Sequence, residues 1–317
     1  MELGHYTKIL RNWRLEPADT QDAVELPGSP ERTVSRKAIT DTEGRRWVLE
    51  EVAEESYSRK LAIAETMETL KTRGLDGIHP YERNTLGQLI TCYAGRLCML
   101  RPHVAGIPLN RKNWLEESWR AEAMAHHLIK MQLISEPSPL QNVGPLFSIA
   151  DFVKRRTEVF RKHRNELAEA LEPVFNNLEK NLFPKLGKAP TSFCHGDFHP
   201  LNIIWGEKSI QSVIDWEFCG LKPEAYDAAL LVGCIGFDNP DALIGDFTGT
   251  LIKKTSAAAI FSPESWEWFI DLVIAIRYGW LAEWMRTNDE SARDLEMLYM
   301  NLLTTQKGYI ADKWGLS

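Results

Sequence analysis

Phe193-Cys194-His195-Gly196-Asp197-Phe198-His199-Pro200-Leu201-Asn202-Ile203-Ile204-Trp205, followed by Ser212-Val213-Ile214-Asp215-Trp216-Glu217, is the stretch that decides this chain. Ile203–Trp205 and Gln211–Ile214 are apolar flanks around the polar run Gly206-Glu207-Lys208-Ser209, a hairpin pattern. Pairing centred between Lys208 and Ser209 sets Asn202 opposite Asp215. Directly opposed residues share a face, with Cβ atoms about 4.5–5.5 Å apart. An amide oxygen and a carboxylate at that separation suit one hard cation. Magnesium takes oxygen ligands, few of them from protein and the rest from water and phosphate. Asp197 lies on the loop that enters the hairpin. A carboxylate there can accept a hydroxyl proton and orient the hydroxyl for in-line attack on a phosphoryl group, the D-x-x-x-x-N arrangement with a metal-binding Asp beyond it. Gly196 lets the backbone turn tightly beside Asp197, and His195 shapes the loop.

Other readings of the same residues stay open. His195, Asp197 and His199 alternate, and on a strand they would share a face as ligands of zinc or a metal pair. Pro200 and the second, Asp215-bearing hairpin fit that hydrolase less well. Glu217 is either a further metal ligand or a hydrogen-bonding neighbour of the loop. His126-His127 reads as one core and one surface residue of a helix. Trp266, Trp268, Tyr278, Trp280 and Trp284 lie on expected helices; aromatic faces attract quaternary ammonium groups. Trp280 and Trp284 are also four apart, as helix packing requires, and core is the stronger reading.

Outward from this stretch, the chain divides into a sheet-containing part and a helical part. Thr33–Thr40 and Arg46–Leu49 flank the turn signal Asp41-Thr42-Glu43-Gly44 and read as a hairpin. Leu61, Ala64, Met67 and Leu70 recur at helical spacing, and Gly74 sits where a C-terminal cap belongs. Two short strands are expected around Ala94-Gly95, and a hinge at Pro102–Pro108. Beyond it the pattern is helical, with Pro173 expected to break a helix within 149–182. The expectation is an α+β fold: a first domain over residues 1–101, and a mainly helical domain over 102–317 with a helical insertion near 135–190.

The chain has 317 residues, 44% hydrophobic and 26% charged, with a net charge of −7. An acidic balance argues against a general nucleic-acid binder, which needs a basic face against phosphate. No apolar run approaches the ~18 residues that span a bilayer, and no secretory signal opens the chain. Five cysteines without a C-x-x-C pair disfavour a zinc ribbon or disulfide framework. The expected setting is a reduced cytoplasm, with no membrane and no nucleic-acid partner; oligomeric state leaves no signature.

His195-Gly196-Asp197-x-x-x-x-Asn202 with Ile214-Asp215-Trp216-Glu217 resembles the aminoglycoside phosphotransferase and choline kinase superfamily, over about residues 25–290. Its members have a two-lobed, protein-kinase-like fold and phosphorylate mostly small molecules with ATP. The resemblance implies that Asp197 is the catalytic base, beside the loop-shaping His195, and that Asn202 and Asp215 hold Mg2+, with Glu217 the candidate for a further ligand. Ser29–Leu49 resembles the nucleotide-loop hairpin, which places Ser29, Arg32 and Arg36 at ATP. Leu100–Leu109 resembles the hinge, which places Leu100, Pro102 and His103 at the adenine. Tyr226-Asp227-Ala228-Ala229 resembles an acidic motif in which Asp227 supports the catalytic loop. The implied partner is a small hydroxylated acceptor, with the acidic balance slightly favouring a cationic one. Specificity would sit near 135–190 and 240–300.

The resemblance also implies a phosphate-contacting Lys on the third strand after Val48-Leu49, where this chain has Glu50-Glu51. A carboxylate there would repel ATP. Either Arg36, Lys37, Arg46, Arg59 or Lys60 takes over, or the chain is a pseudokinase, binding a nucleotide or metabolite in a regulatory role without turnover.

Overall fold

The computed structural model describes residues 2–20, 26, 33–135 and 147–316. Ser29 and Arg32, expected at the nucleotide, lie outside the described residues. The chain forms two compact units, Met1–Leu109 with Pro200–Cys219, and Asn110–His199 with Gly220–Ser317.

The first unit is built on an antiparallel sheet of β1 (Pro17–Thr20), β2 (Ser35–Asp41), β3 (Arg46–Val52), β4 (Thr91–Tyr93) and β5 (Arg96–Pro102), in the order β1-β2-β3-β5-β4. The β2–β3 turn forms where the sequence signals it. Buried Asp41 accepts the backbone N–H groups of Glu43 (3.0 Å) and Arg45 (2.8 Å) and the Trp47 indole N–H (2.9 Å). Those bonds satisfy turn donors that would otherwise be left without partners.

Register divides the sheet chemically. Leu49 pairs with Leu100, and Glu50 with Met99 and Arg36. Alternation therefore sets Ile39, Leu49, Cys98 and Leu100 on one face, where they join Ile9, Leu10 and Trp13 around helix α1 (Glu2–Leu10) in a core cluster. Arg36, Glu50, Met99 and Arg101 share the other face. Helix α2 (Tyr57–Thr72) buries Ile63, Ala64, Met67 and Leu70, and with them Lys60.

The hairpin of β7 (Ile203–Trp205) and β8 (Ile210–Val213), entered after β6 of the second unit, belongs to this first unit. Ile107 N–H donates to Trp205 O and Val213 N–H to Gly77 O, both at 2.7 Å. Its register differs by one from the expectation. Ile203 pairs with Val213 and Ile204 with Ser212, with an irregularity before Trp205. Asn202 therefore faces Ile214, whose N–H donates to the Asn202 carbonyl at 2.9 Å. A bulge moves the pairing centre off the sequence midpoint. Asp215 stands one residue beyond the pair, with φ 64° and ψ 58°.

The second unit contains α3 (Ser118–Ser135), α4 (Ile149–His163), α5 (Asn165–Asn181), α6 (Phe183–Leu186), α7 (Tyr226–Asp238), α8 (Asp246–Ala257), α9 (Pro263–Glu267), α10 (Phe269–Arg286), α11 (Glu290–Thr305) and α12 (Lys307–Trp314). The strands β6 (Thr191–Cys194) and β9 (Gly220–Pro223) pair antiparallel, Cys194 opposite Gly220. Helix α10 is the core element, buried nearly continuously from Phe269 to Tyr278. Pro173 does not break its helix: α5 runs through it, and the chain breaks at Arg164 instead. Pro173 and Glu169, whose carbonyl the proline deprives of a partner, both lie on the exposed face, where water replaces the bond. Among the described residues no helix is long and apolar enough to cross a membrane.

Candidate active site

In the second unit, the chain leaving β6 makes a turn anchored from below. Asp227, in the first turn of α7, accepts the N–H of His195 (2.6 Å) on one oxygen and that of Gly196 (2.7 Å) on the other. Gly196 has φ 84°, a conformation that costs other residues strain. The Asp197 N–H donates to His195 Nδ1 at 3.2 Å, so the His195 imidazole, fully buried, is committed to holding the turn. Phe198 is fully buried and stacks on His127 at 5.4 Å, with the His195 ring edge-on at 6.3 Å. His127 is core and His126 exposed, the split read from the helix. Between these anchored neighbours the Asp197 carboxylate is 23% exposed, with His199 Nε2 3.6 Å away. Burial pushes the Asp227 carboxyl up to about 6, against the pull of the two backbone N–H groups.

Of the aromatic residues of the last quarter, Trp268 and Tyr278 are core, Trp266 packs against Phe261 and Phe269, and Trp280, beside Trp284, lies with Phe237 and Tyr299 around a buried cation. Arg277 lies 5.0 Å from the Phe237 ring centre, 5.4 Å from Trp280 and 5.6 Å from Tyr299. Its charge is matched by buried Glu296 (Nε to Oε1, 2.6 Å), which also accepts the Trp284 indole N–H at 3.1 Å. A built-in guanidinium thus fills the place an ammonium ligand would take.

In the first unit, a cavity is lined by Arg36, Glu50, Lys60, Tyr81, Arg101, Asp215 and Glu217, among others. Glu50 is buried, and each of its oxygens is taken: Arg101 Nε donates to one at 2.9 Å and the Tyr81 hydroxyl to the other at 2.7 Å. Burial alone would push this carboxyl up, but Arg101 and Lys60 hold it below its ordinary value. Lys60 is buried and pairs with Glu217. Arg59 donates to the carbonyls of Glu217 (2.8 Å) and Cys219 (2.6 Å). The segment after Asp215 is thereby tied to α2 by two consecutive residues. A positive φ is uncommon outside glycine, though Asp tolerates it better than most residues, and at Asp215 it turns the chain out of β8 into the cavity wall.

Of the residues expected at a nucleotide, Arg36 lines this cavity. Leu100 does not: it is fully buried in the core cluster, and its carbonyl accepts Glu82 N–H at 2.7 Å. Pro102 ends β5 on the core-facing side of the register and lines a separate, shallower groove. His103 N–H donates to Arg46 O at 2.9 Å, and burial, with Arg46 and Arg101 nearby, lowers its imidazole pKa. Asn202 is buried at the entry to β7. No sequence motif singles out Arg101 or Tyr81, which the fold brings to the cavity. Among the described residues no three His, Cys, Asp or Glu side chains cluster as a metal site, which leaves the zinc reading of His195, Asp197 and His199 without support.

Residues 30–260 match the Phosphotransferase enzyme family, and the chain belongs to it. Solved structures extend the likeness over nearly the whole chain. An amicoumacin kinase in complex with AMP-PNP, Ca2+ and amicoumacin is 12% identical, covers 96% of this chain and 93% of its own, and has a TM-score of 0.69. An aminoglycoside phosphotransferase from Alicyclobacillus acidocaldarius is 12% identical over 96% of this chain and 93% of its own, with a TM-score of 0.64. A spectinomycin phosphotransferase in complex with ADP and spectinomycin is 14% identical over 100% and 99%, also at 0.64. The α+β, protein-kinase-like fold expected from the motif is the fold of this chain. No curated protein sequence matches the chain.

Proposed function

We propose that the chain transfers the γ-phosphoryl group of ATP to a hydroxyl of a small molecule. The observation that carries this is the Asp227-anchored turn, which holds Asp197 between fixed neighbours with its carboxylate open to solvent. Phosphoryl transfer needs positioning and charge neutralisation more than covalent chemistry from the protein. In this reading Asp197 receives the proton of the acceptor hydroxyl and orients its oxygen for in-line attack. His195 keeps the turn in shape and does not exchange a proton with substrate.

Asp215 and Glu217 line the cavity with their carboxylates, while Asn202, buried at the entry to β7 and one residue out of register with Asp215, would add an amide oxygen only from the hairpin's other strand. An oxygen-only donor set fits magnesium. When bound, the ion neutralises charge on the transferring phosphates. Arg36, from the second strand, adds a cation at the same cavity. The acceptor we propose is a small hydroxylated molecule, with the chain's net charge of −7 favouring a cationic one; enzymes of similar structure are named for the antibiotics amicoumacin, spectinomycin and gentamicin. Because Arg277 already fills the aromatic box, a quaternary ammonium held there is not part of this proposal.

The test is Asp197→Asn, assayed with ATP and magnesium across a panel of aminoglycosides, aminocyclitols and simple amino alcohols. Phosphoryl transfer is expected to fall by at least about 10³-fold, in the range that loss of a general base together with its positioning gives. The thermal shift produced by ADP is expected to persist. Undiminished transfer would remove the base assignment. A wild type that binds nucleotide and transfers to nothing would favour the regulatory reading built on Glu50.

A further inference from the structure

The cavity of the first unit brings three cationic side chains, Arg36, Lys60 and Arg101, together with three acids, Glu50, Asp215 and Glu217. They are not equivalent. Arg101 is spent on Glu50, a close pair with 12% and 5% of the two side chains exposed, and Tyr81 takes the remaining Glu50 oxygen. Arg101 gives Glu50 its Nε, and the buried carboxylate opposite neutralises much of its charge.

Lys60 is different. Its side chain is 3% exposed, yet among the described residues its ammonium has a hydrogen bond to Glu217 alone, and Glu217 is itself 18% exposed. An ammonium carries three donors. Glu50 acts on Lys60 through charge without a hydrogen bond; burying an ammonium whose donors are so incompletely bonded is costly, and the cost has a reason if a further anion completes the hydrogen bonding. The cavity is where that anion can come from, since Lys60 lines it beside Asp215.

We propose that Lys60, carried by helix α2, is the cation that takes the nucleotide's β- or γ-phosphate oxygens, and that Glu217 is the residue that positions it. This deepens the phosphotransferase reading and rests on it. The strand position where the family resemblance leads one to expect a lysine holds Glu50, and Glu50 is kept off the phosphates by Arg101 and Tyr81. The two adjacent α2 residues then act on one segment: Arg59 holds its backbone and Lys60 its side chain, directly after Asp215. Phosphate on Lys60 and the position of the Asp215 segment are therefore linked through Glu217.

The experiment is calorimetric titration of the full chain with ADP, AMP and adenosine in the presence of magnesium, for wild type, Lys60→Gln and Lys60→Arg. Gln retains an amide donor for Glu217, which protects folding; circular dichroism and a melting curve verify it. Loss of a charge-assisted phosphate contact is expected to weaken ADP binding by about 10- to 100-fold in Lys60→Gln. Adenosine, which has no phosphate, is expected to bind within about twofold of wild type, and Lys60→Arg is expected to recover part of the loss. A folded Lys60→Gln protein that binds ADP like wild type would overturn the assignment and leave the phosphotransferase reading standing. Equal weakening toward ADP and adenosine would also overturn it, because the effect would then be one of cavity shape. A wild type that binds none of the three would overturn both readings.

Discussion

Asp227→Asn separates what this carboxylate does for stability from what it does for the loop. The native carboxylate is 3% exposed and holds two backbone N–H groups at 2.6 and 2.7 Å. Its pKa stands at about 6, above the ordinary 3.8, with burial as the largest cause. A carboxyl raised in the folded state favours folding fully when both states are protonated, below about pH 4. That contribution is lost as pH rises to about 6, because the unfolded chain ionises first. At about 1.4 kcal/mol per pH unit, raising the pH from 4.5 to 7 costs the wild type about 2 kcal/mol through this group. Asparagine has no such titration. It keeps one acceptor and turns an N–H2 toward the second backbone N–H, at about 1–3 kcal/mol. Urea denaturation of both proteins at pH 4.5 and 7 reads the difference. The stability of wild type relative to the variant is expected to fall by about 2 kcal/mol over that range. Phosphoryl transfer at pH 7 is expected to drop, because the His195–Gly196 turn has lost half of its anchor. Parallel stability curves would refute the reasoning, since Asp227 would then titrate alike in the folded and unfolded states.

Two further outcomes follow from packing. A Cβ at Gly106 would collide with the Ile204 Cγ2 and lie 2.9 Å from the Trp205 carbonyl, a backbone atom that cannot swing away. Gly106→Ala is therefore expected to lower stability by about 1–3 kcal/mol, read as a shift in urea midpoint; an unchanged midpoint would mean the hairpin contact is loose. In the second unit, Arg277→Met leaves the fully buried Glu296 without its partner, and a loss of about 3–5 kcal/mol is expected by thermal denaturation. Arg277→Met with Glu296→Leu is expected to recover much of it, and a double variant no more stable than the single would show that the aromatic ring contacts, not the ion pair, carry the cost.

The parts of this molecule legible in the sequence are those where one short stretch contains both partners. The Asp41 turn is such a stretch, closed by residues two to six positions away. The Asp227 anchor lies 31 and 32 positions from the N–H groups it accepts and is legible only through its own acidic motif. The register of the 202–215 hairpin was read one residue off because a bulge leaves no mark in a polar turn, and its effect is decisive for which side chains oppose. Leu100 was expected at the nucleotide from its place in a hinge-like run. Strand parity sets its side chain with that of Leu49, on the α1 side of the sheet, away from the cavity. The same parity could have found Arg101. Glu50 pairs with Met99, so Arg101, two residues on, must share its face as a diagonal neighbour. Lys60 also left a trace, falling at i, i+3, i+4 and i+7 with Ile63, Ala64 and Met67, the stripe that α2 buries. A lysine in line with an apolar stripe has to meet an acid or a ligand, and Tyr81 and Glu217, the groups that complete this cavity, come from segments whose approach no local pattern encodes. Glu50 by itself therefore says little about whether ATP is used: its charge is met by the Arg101 guanidinium and the Tyr81 hydroxyl, so the sign of a charge at one strand position matters less than what its neighbours do with it.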